Sequence, residues 1–230
     1  MAALKDSIWG IVLSRKHSVR LTGKATRNLA GRPMIAYTFE AATKATRLPR
    51  CWVFSDDPQV LAIAAEYQIE IPSFERPASV SHNQATTEDS LRYFLSQFSP
   101  EALPEWLMLL QPTSPLRTSV DIDRAIELLE NNPEADGLAS VHHTAKPLNW
   151  TFELTPQRTL ISTFQEDKDL VLPNGAIYIF NVPAFLQGGS LRDGTLLAYE
   201  MPWFRSVDVD TEEELLICQT FLIQELQHQV

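Results

Sequence analysis

Cysteine is nearly absent: Cys51 and Cys218 are the only two in 230 residues, far apart in the chain. Neither a disulfide framework nor a cysteine metal centre can be built on them, so both read as reduced and packed. Glycine is also scarce, at 8 residues, and nowhere does it take the spacing of a Walker A loop closed by a Lys-Ser/Thr pair. No apolar run approaches the roughly 20 residues of a membrane span. The apolar stretch at residues 4–13 carries Lys5 and Asp6 and lacks the block structure of a signal peptide. The expectation is a soluble, cytoplasmic protein with no membrane partner. Basic charge is short too: 19 Lys and Arg against 29 Asp and Glu leave a net charge of -10. That balance argues against a nucleic-acid partner, which is held through its phosphates by a basic face. A small anionic ligand is still compatible with it, given a local basic pocket and a cation. The five histidines show no ligand spacing. No internal repeat, low-complexity tract or linker is visible.

What the chain does have is 44% hydrophobic residues, enough to bury the core of one α/β domain spanning 1–230. Short apolar runs rich in branched residues, at 8–13, 51–54, 106–110, 138–141 and 176–180, alternate with segments of helical period at 34–43, 59–67, 87–97, 120–130 and 211–226. The alternation predicts βαβ units: a Rossmann-like, mostly parallel sheet flanked by helices. Ser119 reads as the N-cap of the fourth helix. Residues 142–173 interrupt the pattern and read as an insertion carrying a small β-arm or a subunit contact. In such sheets ligands bind beyond the carboxyl ends of the strands, so the segments that follow strands hold the candidate site.

Four such segments carry chemistry. Residues 14–24 concentrate Arg15, Lys16, Arg20 and Lys24 around Ser18, which suits either a triphosphate or a solvated basic loop. Gln111-Pro112-Thr113-Ser114-Pro115-Leu116-Arg117 is the most specific string. Its prolines stiffen a turn after a buried strand, which either holds Gln111, Thr113 and Ser114 toward a hydroxylated or carboxylate ligand or serves as a rigid connection. Asn174-Gly175 opens a strand, where the amide either bonds sugar hydroxyls or shapes a turn. Asp208 and Asp210 alternate along Ser206-Val207-Asp208-Val209-Asp210. Extended backbone would send both carboxylates to one side, where Mg²⁺ would relieve their repulsion; the alternative makes Asp210 a helix cap and leaves Asp208 exposed. Ser55-Asp56-Asp57 reads as a helix cap before Pro58.

Taken in order, these pieces resemble the acylneuraminate cytidylyltransferase family over nearly the whole chain. The match also includes Gly23-Lys24, Gly31-Arg32-Pro33-Met34-Ile35-Ala36, Arg76-Pro77 and the run Asn174-Gly175-Ala176-Ile177-Tyr178-Ile179. The resemblance implies a Rossmann-like enzyme of nucleotide-sugar type that transfers CMP from CTP to the anomeric hydroxyl of an acidic 2-keto sugar. It implies a homodimer in which the insertion reaches the partner. Arg15, Ser18 and Lys24 would hold the CTP phosphates, with Arg76 and Thr87 near the nucleotide. Gln111, Thr113, Ser114, Asn174 and Tyr178 would face the sugar. Asp208 and Asp210 would hold Mg²⁺ and, with Lys24, form the catalytic group.

The chain departs from the family where Arg15-Lys16-His17-Ser18-Val19 stands for the usual Arg-Gly-Gly-Ser-Lys, where Ala25 stands for an asparagine, and where Phe164-Gln165 stands for an Arg-Gln pair. The alternatives are a synthetase for the eight-carbon sugar Kdo, which shares Arg20-Leu21 and Gly23-Lys24, and a catalytically silent relative that binds nucleotide or sugar.

Overall fold

The computed structural model describes Leu4 and residues 7–16, 21–143, 152–162 and 170–228. Among them the strands are β1 (Ile8–Ser14), β2 (Asn28–Leu29), β3 (Arg32–Pro33), β4 (Cys51–Ser55), β5 (Trp106–Leu109), β6 (Gly137–His143), β7 (Phe152–Leu154), β8 (Leu160–Ser162), β9 (Val171–Asn181) and β10 (Leu196–Glu200). The α-helices are α1 (Met34–Lys44), α2 (Pro58–Glu66), α3 (Thr87–Ser96), α4 (Ser119–Glu130), α5 (Val182–Leu186) and α6 (Glu212–His228).

Six strands form one sheet in the order β10-β6-β9-β5-β1-β4. β1 pairs parallel with β4 and β5, and β10 parallel with β6, while β9 runs antiparallel between β5 and β6. The mostly parallel Rossmann-like sheet expected from the alternation is therefore present, with one reversed strand. The reversal matters for the site. The start of β9, not its end, lies at the same edge as the carboxyl ends of its neighbours, so Asn174 and Gly175 join the loops after β1, β5 and β10.

Strand side chains divide between two cores with the period of two that extended backbone imposes. Ile8 and Val12, Trp106 and Met108, and Ile177 and Ile179 pack against α1, α2 and α4 through Ile35, Phe39, Val60, Ile122 and Ile126. Ile11, Leu107, Leu109, Tyr178 and Phe180 face the other way, onto Leu91, Phe94 and Leu95 of α3 and Phe185 of α5. With both faces covered, β1 and β5 read as unbroken apolar runs.

The helix starts refine the sequence reading. Thr118, one residue before the expected Ser119, caps α4: its side chain accepts from Asp121 N while Asp121 accepts from Thr118 N. The same reciprocal box, Thr86 with Asp89, starts α3. Asp57 caps α2 ahead of Pro58, as expected. β10 and α5 were not anticipated. β10 is a half-exposed edge strand with no clean alternation, and α5 spans only five residues. Of the residues read as an insertion, 142–143 and 171–173 continue β6 and β9 of the main sheet and β7 and β8 form a hairpin; residues 144–151 and 163–169 lie outside the described set.

Phe94 anchors the α3 face. It is fully buried and meets the rings of Trp52, Phe54, Phe74 and Phe98 at centroid distances of 5.9, 5.5, 5.7 and 5.2 Å. Phe94→Ala is expected to lower the unfolding free energy by about 3–5 kcal/mol, read from urea denaturation. A loss below ~1 kcal/mol, the range of a surface change, would mean that this cluster does not hold α3 to the sheet.

Candidate active site

A cavity of about 260 Å³ opens at the carboxyl edge of β1 and β5, lined by Arg15, Lys24, Arg76, Thr86, Thr87, Gln111, Thr113, Asp208 and Asp210 among others. A second, of about 360 Å³, adjoins it and shares Thr86, Thr87 and Gln111, adding Glu88, Tyr178, Leu191 and Arg192. Most of the residues singled out in the sequence therefore meet around two adjoining spaces. Ser18 lies outside the described residues, as does His17.

Lys24 is set by Gly23, whose left-handed backbone (φ 61°) starts the short 3₁₀ turn Lys24–Thr26. A residue with a Cβ adopts that conformation at a cost, which glycine avoids. Lys24 Nζ then reaches across the chain to Asp210 Oδ1 at 2.6 Å, both side chains being 19% exposed. Asp210 is not the helix cap that one sequence reading allowed. That role falls to Thr211, which accepts from Glu214 N, while Glu214 Oε2 receives the backbone N–H groups of Asp210 (2.7 Å) and Thr211 (2.9 Å).

Between the two aspartates, Val209 is fully buried and its N–H donates to Thr113 O at 2.8 Å. That bond fastens the acidic segment to the Gln111-to-Arg117 turn and sends Asp208 and Asp210 together to the cavity. Asp208 is reached by solvent through the cavity mouth, yet lies deep enough among protein atoms that desolvation pushes its carboxyl above the ordinary aspartate range. The Thr113 hydroxyl opposes that shift and the charge of Asp210 adds to it. Gly175 takes φ +77°, and a Cβ there would stand 2.9 Å from Gln111 Oε1 and 3.8 Å from Asp208 Oδ2. Glycine thus lets Gln111 and Asp208 share one wall.

Several expected contact residues are engaged elsewhere. Arg76 is 7% exposed, and all its N–H groups are committed: Nε and Nη2 donate to Val80 O, Nη2 also to Ser90 Oγ, and Nη1 to Ser14 O and Phe54 O. It borders the first cavity while its hydrogen bonds tie the ends of β1 and β4 to α3. Burial draws its pKa down to about 10, so it remains a cation at neutral pH. Asn174 and Ser114 line neither cavity. Asn174 Oδ1 accepts from Ser140 Oγ (2.5 Å) and Ala176 N (3.1 Å), and its Nδ2 donates to Ser206 Oγ (2.9 Å). Ser114 is fully buried and donates to Asn174 O. Both face inward and brace the residues around the cavities; they do not enter them. Arg15 is exposed and donates to His82 O at 2.9 Å, and Lys16 is held by its own N–H on Asp56 Oδ1 at 2.8 Å.

Arg192 and Glu88 were missed by sequence reasoning. Arg192 lies in an unremarkable polar turn before β10, and only the packing of that turn on α3 brings it to Tyr178.

Among the described residues no group of three or more His, Cys, Asp or Glu side chains gathers to hold a metal, and no helix is long and apolar enough to cross a membrane. Two carboxylates beside an anion-sized cavity match how Mg²⁺ is commonly held, by one or two carboxylates completed by phosphates and water.

Comparison with known proteins agrees with this geometry. A family model described as cytidylyltransferase matches residues 9–218. The N-acylneuraminate cytidylyltransferase of Streptococcus agalactiae serotype III is 31% identical over 216 residues, 90% of this chain and 51% of that protein. The enzyme of the same name from Escherichia coli is 30% identical over 215 residues, 90% of this chain and 50% of that protein. The chain thus spans about half the length of these relatives. The CMP-N,N'-diacetyllegionaminic acid synthase of Legionella pneumophila is 26% identical over 214 residues, covering 89% of this chain and 91% of that protein. Among solved structures, a CMP:2-keto-3-deoxy-manno-octonic acid synthetase complexed with CTP superposes with a TM-score of 0.69 at 17% identity, covering 95% of this chain and 99% of that one. The 4-diphosphocytidyl-2C-methyl-D-erythritol synthase of Anaerococcus prevotii gives 0.68 at 11% identity, covering 94% and 98%. These two share the fold. With the family pattern matched from β1 into α6, the chain belongs to the cytidylyltransferase family.

Proposed function

We propose that this chain transfers CMP from CTP to the anomeric hydroxyl of a sialic-acid-like 2-keto sugar acid, releasing pyrophosphate. The observation that carries the reading is the convergence of Lys24, Asp208 and Asp210 on a cavity that shares Thr86, Thr87 and Gln111 with a second one bordered by Tyr178. The names of the relatives support an acidic sugar as acceptor. That the legionaminic acid relative is matched over 91% of its length supports a single domain of about this size as sufficient.

In this reading the anomeric oxygen attacks the α-phosphorus, and the bridging oxygen leaves with pyrophosphate. Covalent catalysis is unnecessary; positioning and charge neutralisation carry the acceleration. Arg15 and Lys24 neutralise phosphate oxygens, Ser18 adding a hydroxyl donor, while Arg76 contributes a fixed positive charge behind them and Thr87 borders the nucleotide at the start of α3. Gln111 and Tyr178 face the sugar, with Thr113 supporting Asp208. Asp208 and Asp210 are the residues that would hold Mg²⁺, which supplies phosphate neutralisation and acidifies the attacking hydroxyl when bound. The hydroxyl proton passes to one of these two carboxylates. Lys24, paired with Asp210 at 2.6 Å, releases that carboxylate when phosphate enters.

The assembly proposed is a cytoplasmic homodimer joined through the insertion at 142–173. The hairpin of β7 and β8 supports it, with Leu154, Leu160 and Ile161 exposed at 65%, 65% and 52%.

Pyrophosphate release from CTP is expected with at least one of N-acetylneuraminic, legionaminic or pseudaminic acid. Release with Kdo alone would transfer the assignment to the eight-carbon sugar, and none with any acid would make the chain a silent binding relative. Asp210→Asn is expected to abolish most turnover with an unchanged circular dichroism spectrum. Full activity of that variant, or of the wild type in excess chelator, would remove the metal role. Lys24→Ala is expected to raise the KM for CTP roughly ten- to a hundredfold, the worth of one charge-assisted phosphate contact. An unchanged CTP dependence would reduce Lys24 to a structural partner of Asp210.

A further inference from the structure

The second cavity has a feature that the roles above leave unused. Of the described residues that line it, Arg192 is the one cation and Glu88 the one anion. Glu88 is already engaged, its Oε1 accepting from Leu191 N at 3.1 Å. The turn that carries Arg192 is fastened on both sides. Asp193 accepts from the N–H and hydroxyl of Ser190 at 2.7 and 2.8 Å, and Arg92 of α3 donates to the carbonyls of Phe185 and, at 2.5 Å, Gly189. Arg192 shares this lining with Tyr178. Burial pushes the Tyr178 hydroxyl above the ordinary phenol range, although the nearby guanidinium charge acts to lower its pKa, so it keeps its proton and remains a donor at neutral pH.

Resting on the proposed reaction, we infer that Arg192, beside Tyr178 in the cavity wall, is the specificity-determining residue that receives the carboxylate of the acceptor sugar. Three observations converge on it. The acceptor class has one charge, and this cavity offers one cation to meet it. A guanidinium presents two parallel N–H groups to a carboxylate, which a lysine does not. The space shares Gln111, Thr86 and Thr87 with the cavity that Asp208 lines. A 2-keto sugar acid carries its carboxylate on the same carbon as the reacting hydroxyl, so a receptor for the carboxylate here aims that hydroxyl toward the nucleotide side. The turn itself is held by backbone groups and by Asp193, Glu88 and Arg92, so replacing the Arg192 side chain leaves the turn's fastening in place.

The test uses the acid that the wild type turns over, together with its methyl ester, and compares wild type, Arg192→Leu and Arg192→Lys. Arg192→Leu is expected to raise the KM for the acid roughly ten- to a hundredfold with the KM for CTP unchanged. It is also expected to lose the wild type's preference for acid over ester, and Arg192→Lys to recover part of both. An unchanged KM for the acid, or an acid-over-ester preference that survives in Arg192→Leu, overturns the inference. A rise confined to the KM for CTP also overturns it and assigns Arg192 to the phosphates. Absence of pyrophosphate release by the wild type with every acid is a different failure: it removes the proposed reaction, and the inference falls with it.

Discussion

Asn174 sits at 3% exposure where β9 enters the sheet, and its carboxamide joins chain segments remote in sequence. Through Ser140 it reaches β6 at the point where the β6–β9 register shifts. Through Ser206 it reaches the segment that leads out of β10 to the acidic pair. Ser114, at the tip of the turn after β5, donates to its backbone carbonyl. A buried amide with unmet hydrogen bonds costs about 1–3 kcal/mol per group, so the loops are held to one arrangement: any displacement of 140, 174 or 206 breaks bonds that solvent cannot replace. The spacing of Asp208 from Lys24 and of Gln111 from Tyr178 depends on this knot, although none of its members touches either cavity.

Buried arginines do similar work on the other strands. Arg76 closes the ends of β1 and β4 against α3. Arg117, 2% exposed, donates Nη1 to Gln111 O (3.2 Å) and Ala176 O (3.1 Å), pinning the start of the turn after β5 to β9. Burial draws its pKa down to about 10, still above neutral, so both guanidiniums carry charge beneath the ligand edge. A chain of net charge -10 repels a triphosphate at long range. Arg117 beneath the edge and Arg15, Lys24 and Arg76 in the cavity wall concentrate positive charge locally, where low dielectric makes each charge count for more than it would in water.

How far the sequence discloses this arrangement depends on the range over which each signal acts. Branched apolar runs disclose β1, β4 and β5 to within a residue or two, because a strand buried on both faces must be apolar throughout. The half-exposed edge strand β10 carries no such constraint and stays hidden. The alternation of Asp208, Val209 and Asp210 correctly sends both carboxylates one way, since period two is a local property. Whether Asp210 would cap a helix or pair with a cation is decided by Lys24, 186 positions away, and no local pattern reports that.

The same limit separates contact from positioning within a motif. Gln111, Thr113 and Ser114 are adjacent in the chain and polar, and nothing in their order distinguishes the side chain that enters the cavity from the one that turns inward. The turn resolves it geometrically. Thr113 O is bonded to Val209 N and Ser114 is fully buried against Asn174, so only Gln111 and Thr113 are left facing the ligand edge. Tyr178 and Asn174 divide in a related way along β9: the tyrosine lines the second cavity from the α3 face, and the asparagine lies in the knot. Such a site has more residues fixed by its chemistry than residues in contact with substrate. Asn174 is fixed by the three hydrogen bonds of its carboxamide, while Arg192 stands exposed on a turn that Asp193, Glu88 and Arg92 hold without its side chain.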